Sequence, residues 1–395
     1  MSSQPAQNKW ENDLLQKMSL QTDPEADKII GDIMRSEKFG SLKMLFTSLS
    51  KDHDKIVKSN LPASVIDYFN SEMTLPAWAD QEKIKRAQAV YVRYGPQIAL
   101  LLNFKSLPLC YACKNGAKAL AATGRLNGKD VSKTMRRLFE TSQMVMNVMS
   151  PGGLSPNGAG IVTVKKVRLY HAAIRGFLMQ PDAEGKVWDT GFYGAPISQE
   201  EIAGTLMAFS ALVLGGLEQL GAQLSEEEKD AYIHCWVIVG HFIGLHPSLY
   251  PANFREGWTL GITIIKRNHH SSKEGKDLIT SLIDFSESFF SNSLADKILF
   301  GGTPPYLAKY FVGDVAKEIN VDILDELGIK KKNGFFVLLK GAVFITLIKL
   351  ACKYEKHNIF IRKIISVYGL RFLKGLISQY LKTNHVAFYI PPSLK

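Results

Sequence analysis

Apolar positions along this chain recur at intervals of three and four far more often than at two, the repeat of helices packed on one side. Residues 130–149 show it, with Met135, Leu138, Phe139 and Met146 among the apolar positions. A second helix is expected over 163–179, after the turn-rich run Ser150-Pro151-Gly152-Gly153-Leu154-Ser155-Pro156-Asn157-Gly158. Ser198-Gln199-Glu200-Glu201 and Ser225-Glu226-Glu227-Glu228 have the form of capping boxes, opening helices over 202–220 and 229–245. Further helices are expected over 81–102, 277–289 and 305–311, and within 333–382. A short β-hairpin is allowed around 186–193. The pattern predicts an all-α fold, one multi-helix domain of roughly seven to twelve helices. It divides into a helical N-terminal extension with a polar, frayed start (1–60), a core (61–300) and a basic helical C-terminal extension packed on that core (301–395).

Composition changes this picture little. The 395 residues are 46% hydrophobic and 22% charged, ordinary for a soluble globular protein with a large core. Four scattered cysteines make no disulfide framework and suit a reducing compartment. The start is polar, with no basic segment leading into an apolar one, so no signal peptide is expected. Lys340 and Lys349 interrupt the most lipid-like stretch, so no transmembrane helix is expected either. These features predict a cytoplasmic protein, peripheral on the inner membrane face if it meets a membrane.

Charge changes the picture more. The net charge is +11, and between Lys330 and Lys382 stand twelve Lys/Arg against the single acid Glu355, so that segment carries the whole excess. Within it, the pairs Phe360/Ile361, Ile364/Ile365, Phe372/Leu373, Leu376/Ile377 and Tyr380/Leu381 alternate with Arg362, Lys363, Arg371 and Lys374. Two readings stand: a core-packed helix with a solvated cationic face, or attachment to an anionic membrane surface. No nucleic-acid-binding motif accompanies the charge, which disfavours a nucleic-acid partner.

The sharpest candidate chemistry is Arg168-Leu169-Tyr170-His171-Ala172-Ala173-Ile174-Arg175. On a helix, Arg168, His171 and Arg175 share one face. Flanking cations favour the neutral imidazole, which can ligate a metal, and guanidinium groups suit a dianionic ligand. A haem offers both an iron needing an axial nitrogen and two propionates. The plainer alternative is a histidine satisfied within the core. Upstream, Arg137 and Thr141 lie four apart with Glu140 alongside; an exposed ion pair and a back-bonding threonine would explain them equally well. His234 and His241 fit no metal-site spacing and read as core hydrogen-bonding residues lining a pocket. Cys110-Tyr111-Ala112-Cys113 is a lone pair without partners, and His269-His270 reads as a solvated loop.

At these residues the chain resembles the MpaB/latex-clearing-protein family of haem-dependent oxygenases, the rubber oxygenases. The resemblance runs from about Leu75 to Gly261. It begins at Leu75-Pro76-Ala77-Trp78-Ala79-Asp80 and passes through Ser106-Leu107-Pro108, Thr123-Gly124-Arg125-Leu126 and Arg137-Leu138-Phe139-Glu140-Thr141. It then takes in Arg168-Leu169-Tyr170-His171 with Arg175, Pro196-Ile197-Ser198-Gln199, and Trp236 with Gly240-His241 and Gly244.

The resemblance implies an all-helical, globin-like core around one non-covalent haem b, with His171 as iron ligand. It also implies that Arg168 and Arg175 retain the haem, and that Arg137 and Thr141 secure its distal side. Latex-clearing proteins carry a lysine before the threonine; this chain has Glu140, placed as a weak ligand, a proton acceptor or a partner of Arg137. The distal glutamate proposed as base in rubber oxygenases has no counterpart in 118–122. The function implied is O2-dependent oxidation of an apolar, unsaturated substrate such as a lipid, isoprenoid or terpenoid. Two alternatives stay open, a non-catalytic haem sensor or carrier and a haem-free protein bound at a membrane surface.

Overall fold

A computed structural model describes residues 9–35, 62–71, 73–122, 131–156, 158–181, 185, 187–289, 301–329 and 334–357. In chain order the helices are α1 (Asn12–Ser19), α2 (Pro24–Arg35), α3 (Ala63–Asn70), α4 (Gln81–Leu101), α5 (Leu107–Ala112) and α6 (Lys114–Ala122). They continue with α7 (Val131–Met149), α8 (Ala159–Leu178), α9 (Thr190–Tyr193), α10 (Gln199–Phe209), α11 (Ala211–Gln219) and α12 (Glu226–Ile243). The last are α13 (Phe254–Asn268), α14 (Lys273–Phe289), α15 (Pro304–Glu318), α16 (Ile323–Glu326) and α17 (Phe335–His357). Among the described residues there is no β-sheet, only one isolated bridge between Cys113 and His269.

Both capping boxes form. Ser198 accepts from Glu201 N while its own amide donates to Glu201 Oε2, and Ser225 and Glu228 repeat the exchange. The stretch expected as one helix over 202–220 is two, α10 and α11. The Ser210 hydroxyl donates back to Leu206 O at 2.7 Å, and its backbone leaves helical values at φ −118°, ψ −84°. A serine that bonds its preceding turn bends the helix, and apolar periodicity on either side conceals it. In α4, Pro96 removes the amide that would bond the carbonyl of Val92, the backbone kinks at Tyr94, and a π-helical segment, Leu102–Ser106, follows. The expected hairpin at 186–193 is corrected: Thr190–Tyr193 is one helical turn, capped by Asp189 accepting from Phe192 N at 3.0 Å.

α12 and α4 pack together at the centre, with Tyr232, Trp236 and Ile98 buried between layers. α8 touches α2, α7 and α12. The described N-terminal helices join this core. Trp10, Leu15 and Ile30 are buried, and Trp10 Nε1 donates to Ser248 O at 3.1 Å. At the other end α17 rests on α15, Gly341 meeting the Tyr306 ring. Two described stretches, Gln199–Gln219 and Phe335–Lys353, are long and apolar enough to cross a membrane by length and composition. The first is the broken pair α10–α11, mostly buried in the core; the second is mostly exposed. The basic run after residue 357 lies outside the described residues, as do Lys330, Lys331 and Lys332.

Candidate functional site

The centre of the site is α8, which has Gly158 as its N-cap after the tight 150–156 turn. Gly160 sits against the backbone of Asn147 and Val148, where a Cβ would be 2.8 Å from the Val148 Cα, so the α7–α8 hairpin closes only with glycine there. Asn147 Nδ2 donates to Thr163 Oγ1 at 3.0 Å, fixing the register of the two antiparallel helices. Seven residues back from Asn147 is Glu140, and seven on from Thr163 is Tyr170. Equal rise per residue in antiparallel helices therefore brings Glu140 level with Tyr170, Thr141 with Leu169 and Phe139 with His171. All of Glu140, Thr141 and His171 are half-buried. Arg137 lies on the same helix one turn earlier, and its side chain is outside the described residues.

The two arginines face the N-terminal helix α2. Arg168 Nη2 donates to Asp23 Oδ1 at 2.8 Å and to Glu25 Oε2 at 2.7 Å, while Nε serves the other Asp23 oxygen. Arg175 Nε donates to Asp27 Oδ1 at 2.7 Å, and Nη1 to Ile197 O at 3.3 Å. The anions that the Arg-x-x-His-x-x-x-Arg spacing calls for are thus present within the chain. Burial resists the charge on Arg168, but the hydrogen bond and charge of Asp23 more than offset it, and the guanidinium is held more firmly protonated than usual. Beside it, burial raises the Tyr68 phenol well above its ordinary value, with Arg168 opposing. Ile197, which receives Arg175, has φ 52°, a conformation that β-branched residues rarely adopt. It precedes the Ser198 cap and packs, partly buried, against the core.

Two clefts flank these pairs. One of ≈ 810 Å³ is lined by Asp23, Tyr68, Lys165, Arg168, His241 and Tyr250, among others. The other, of ≈ 390 Å³, is lined by Ile30, Met34, Ala172, Arg175, Gly176 and Met179, with others. Gln199, wholly buried, ties the walls of the first: its Nε2 donates to Thr22 O and Gly244 O, and its Oε1 accepts from His246 N. Sequence reasoning missed Asp23, Glu25 and Asp27, and gave Gln199 no role of its own. The acids stand in an ordinary helix start, where carboxylates are common for reasons of capping alone.

The remaining candidates resolve into structural roles. His234 Nε2 accepts from Asp80 N at 2.9 Å and stacks edge-on to Trp78; burial lowers its pKa, which keeps it an acceptor. His241 lines the larger cleft, also against Trp78. His269 is not the solvated loop residue expected: its Nδ1 lies 3.0 Å from Glu326 Oε1. Cys110 and Cys113 form no disulfide, and burial pushes the Cys113 thiol well above its usual pKa, away from thiolate chemistry. Among the described residues no cluster of three or more His, Cys, Asp or Glu could hold a metal.

A haem fits this donor set at one point. His171 offers a half-buried side chain on α8, and Glu140 and Thr141 stand on α7, which packs against it. The guanidinium groups fit less directly, because α2 already supplies their carboxylates. Each retains donors, since a guanidinium carries five N–H groups and one carboxylate accepts two in a fork.

The chain is 24% identical over 233 residues to a rubber oxygenase of Streptomyces sp. (strain K30), covering 59% of this chain. The match spans about half of that relative, 55% of its length. In fold it is similar to a latex clearing protein LCP solved in the closed state, with a TM-score of 0.69 at 19% identity, over 85% of this chain and 84% of that one. Residues 92–305 match the family model described as ER-bound oxygenase mpaB/B'/Rubber oxygenase, catalytic domain, and the chain belongs to this family.

Proposed function

We propose that this protein is a haem b-dependent oxygenase that oxidises an apolar, unsaturated substrate, a lipid, isoprenoid or terpenoid. Its catalytic unit is taken as residues 61–300 with a globin-like arrangement, flanked by the 1–60 and 301–395 extensions. The reading is supported by family membership together with the packing of α8, which carries His171, against α7, which carries Glu140 and Thr141. His171 is assigned as the iron ligand. When bound, the haem would supply an iron centre able to bind and activate O2.

The chain's own residues have defined tasks in this reading. α8 fixes the imidazole through its buried neighbours Leu169, Ala172 and Ala173. Arg168 and Arg175 offer their remaining N–H donors to the propionates while still paired to α2. Thr141 and Arg137 secure the opposite side, and Glu140 accepts or holds a proton there. Buried Leu138, Phe139 and Met146 on α7 keep water from the reacting face. The basic residues between Lys330 and Lys382 draw the protein to an anionic membrane surface, where apolar substrates partition.

The test is the absorption spectrum of protein produced with ample haem precursor. A Soret band is expected, lost or strongly weakened in His171→Ala, with O2 consumed on addition of unsaturated lipids or terpenes. A coloured protein that consumes no O2 with any of them would be a sensor or carrier instead. The carboxylate pairing of Arg168 and Arg175 favours a second, haem-free reading, in which these arginines merely hold α2. Colourless protein would establish that reading and overturn the first.

A further inference from the structure

α17 has two unlike faces. Gly341, Ile345 and Cys352 are buried, with Gly341 against Tyr306 and Cys352 Sγ near Gln97 Nε2. The opposite face carries Phe336, Leu339, Val343, Leu347 and Leu350, spaced by three or four, and each is between 43% and 74% exposed. Helical geometry puts Lys340 on one flank of this stripe and Lys349 and Lys353 on the other. A helix of a soluble protein normally turns its polar side outward. Here an apolar stripe faces out, with lysines at its margins.

We propose that α17 is a monotopic membrane anchor, lying in the plane of an anionic bilayer with this stripe in the acyl region and its lysines at the headgroups. The inference rests on the membrane-surface reading of the basic segment and is independent of haem. Three observations choose the occupant. Lysines flanking an apolar stripe are placed to snorkel to phosphate level on both sides. α17 lies within the 330–382 segment that holds the entire positive excess of the chain, and its own four lysines against Glu355 leave it net positive, which attracts anionic lipid and sets two copies of this face against each other by like charge. The buried inner face keeps the helix fastened to α15 and so parallel to the protein surface, the geometry of an in-plane helix rather than a crossing one.

The experiment is flotation of the full-length protein with phosphatidylcholine vesicles, with and without phosphatidylserine, at low salt and at about 1 M NaCl, where surface charge is screened within ~3 Å. Wild type should float with the anionic vesicles and stay bound at high salt. Leu339→Ser/Val343→Ser/Leu347→Ser should lower the bound fraction at least about tenfold, since each buried apolar side chain adds to partitioning. Lys340→Gln/Lys349→Gln/Lys353→Gln should weaken capture mainly at low salt.

Binding that vanishes in salt and ignores the serine substitutions would overturn the proposal in favour of charge alone. Two outcomes without vesicle binding would also overturn it. A serine variant that shifts the sedimentation of a dimer to a monomer would assign the stripe to a second copy. One that lowers the melting temperature would assign it to the chain's own remaining residues. The Soret band of the same samples reports separately on the haem reading, so the two can fail independently.

Discussion

Arg168 and Asp23 are joined by a fork of two hydrogen bonds across 145 residues of chain, and Asp23 is 3% exposed. A buried carboxylate of this kind is tolerable only while its partner stays. Asp23→Ala should therefore cost about 3 kcal/mol, because the exposed Glu25 is a poor substitute for a buried partner. Chemical denaturation of the variant and wild type measures it.

The same pair separates the two roles given to Arg168. Arg168→Gln should weaken haem retention about tenfold, as loss of an outer partner of a cofactor does, measured by transfer to apomyoglobin. Asp23→Asn should leave retention unchanged or strengthened, because it frees donors on Arg168. Equal loss in both variants would make the arginine a fastener of α2 alone.

Gly244 ends α12 at φ 86°, and a Cβ there would lie 2.3 Å from Asp23 Oδ2 and 2.6 Å from Arg168 Nε. Gly244→Ala adds the left-handed backbone penalty to displacement of that pair. The expected loss is above about 2 kcal/mol, larger than for alanine at the exposed Gly185, also at positive φ. Thermal melts of the two variants give the comparison.

Glu201 has its Oε1 buried without a hydrogen-bond partner, and burial raises its pKa to about 7. The folded protein then holds a proton that the unfolded chain has lost above pH 4.5. Stability should fall as pH rises from 4.5 to 7, by at most about 3 kcal/mol, and level off above. Glu201→Gln keeps the acceptor for Ser198 N and should flatten this part of the pH profile.

Lys105 is wholly buried in the π-helical segment, with Nζ paired to Asp314 on α15 and 3.2 Å from Gln219 Oε1. Burial lowers its pKa while Asp314 opposes. Lys105→Met leaves Asp314 without its cation, and a loss of about 3 kcal/mol in urea is expected. Lys105→Met/Asp314→Leu should recover most of it.

Local rules were readable from the chain and distant pairings were not. Ser198 with Glu201 and Ser225 with Glu228 are contacts three residues apart, and both formed as the residue types require. The Ser210 break was hidden because apolar residues continue through it and only the hydroxyl's bond to Leu206 reveals it. At 186–193 a short hairpin was allowed, while the Asp189 cap decided for a helical turn. The partners of Arg168 and Arg175 were out of reach, since nothing local marks Asp23 or Asp27 as more than helix-start acids. Lys340 and Lys349 were read as interruptions of an apolar run; on the folded helix they stand beside the stripe and leave it continuous.

The placement of α2 over α8 has a consequence for biosynthesis. Asp23 and Asp27 leave the ribosome well before the arginines they serve, and α2 gains its seat only after position 175 has emerged. Until then Ile30 has nowhere to dock, Trp10 waits longer still for Ser248, and early greasy surface on a nascent chain is what chaperones recognise. Slow translation between those points should lengthen that vulnerable interval, and a faster one should shorten it.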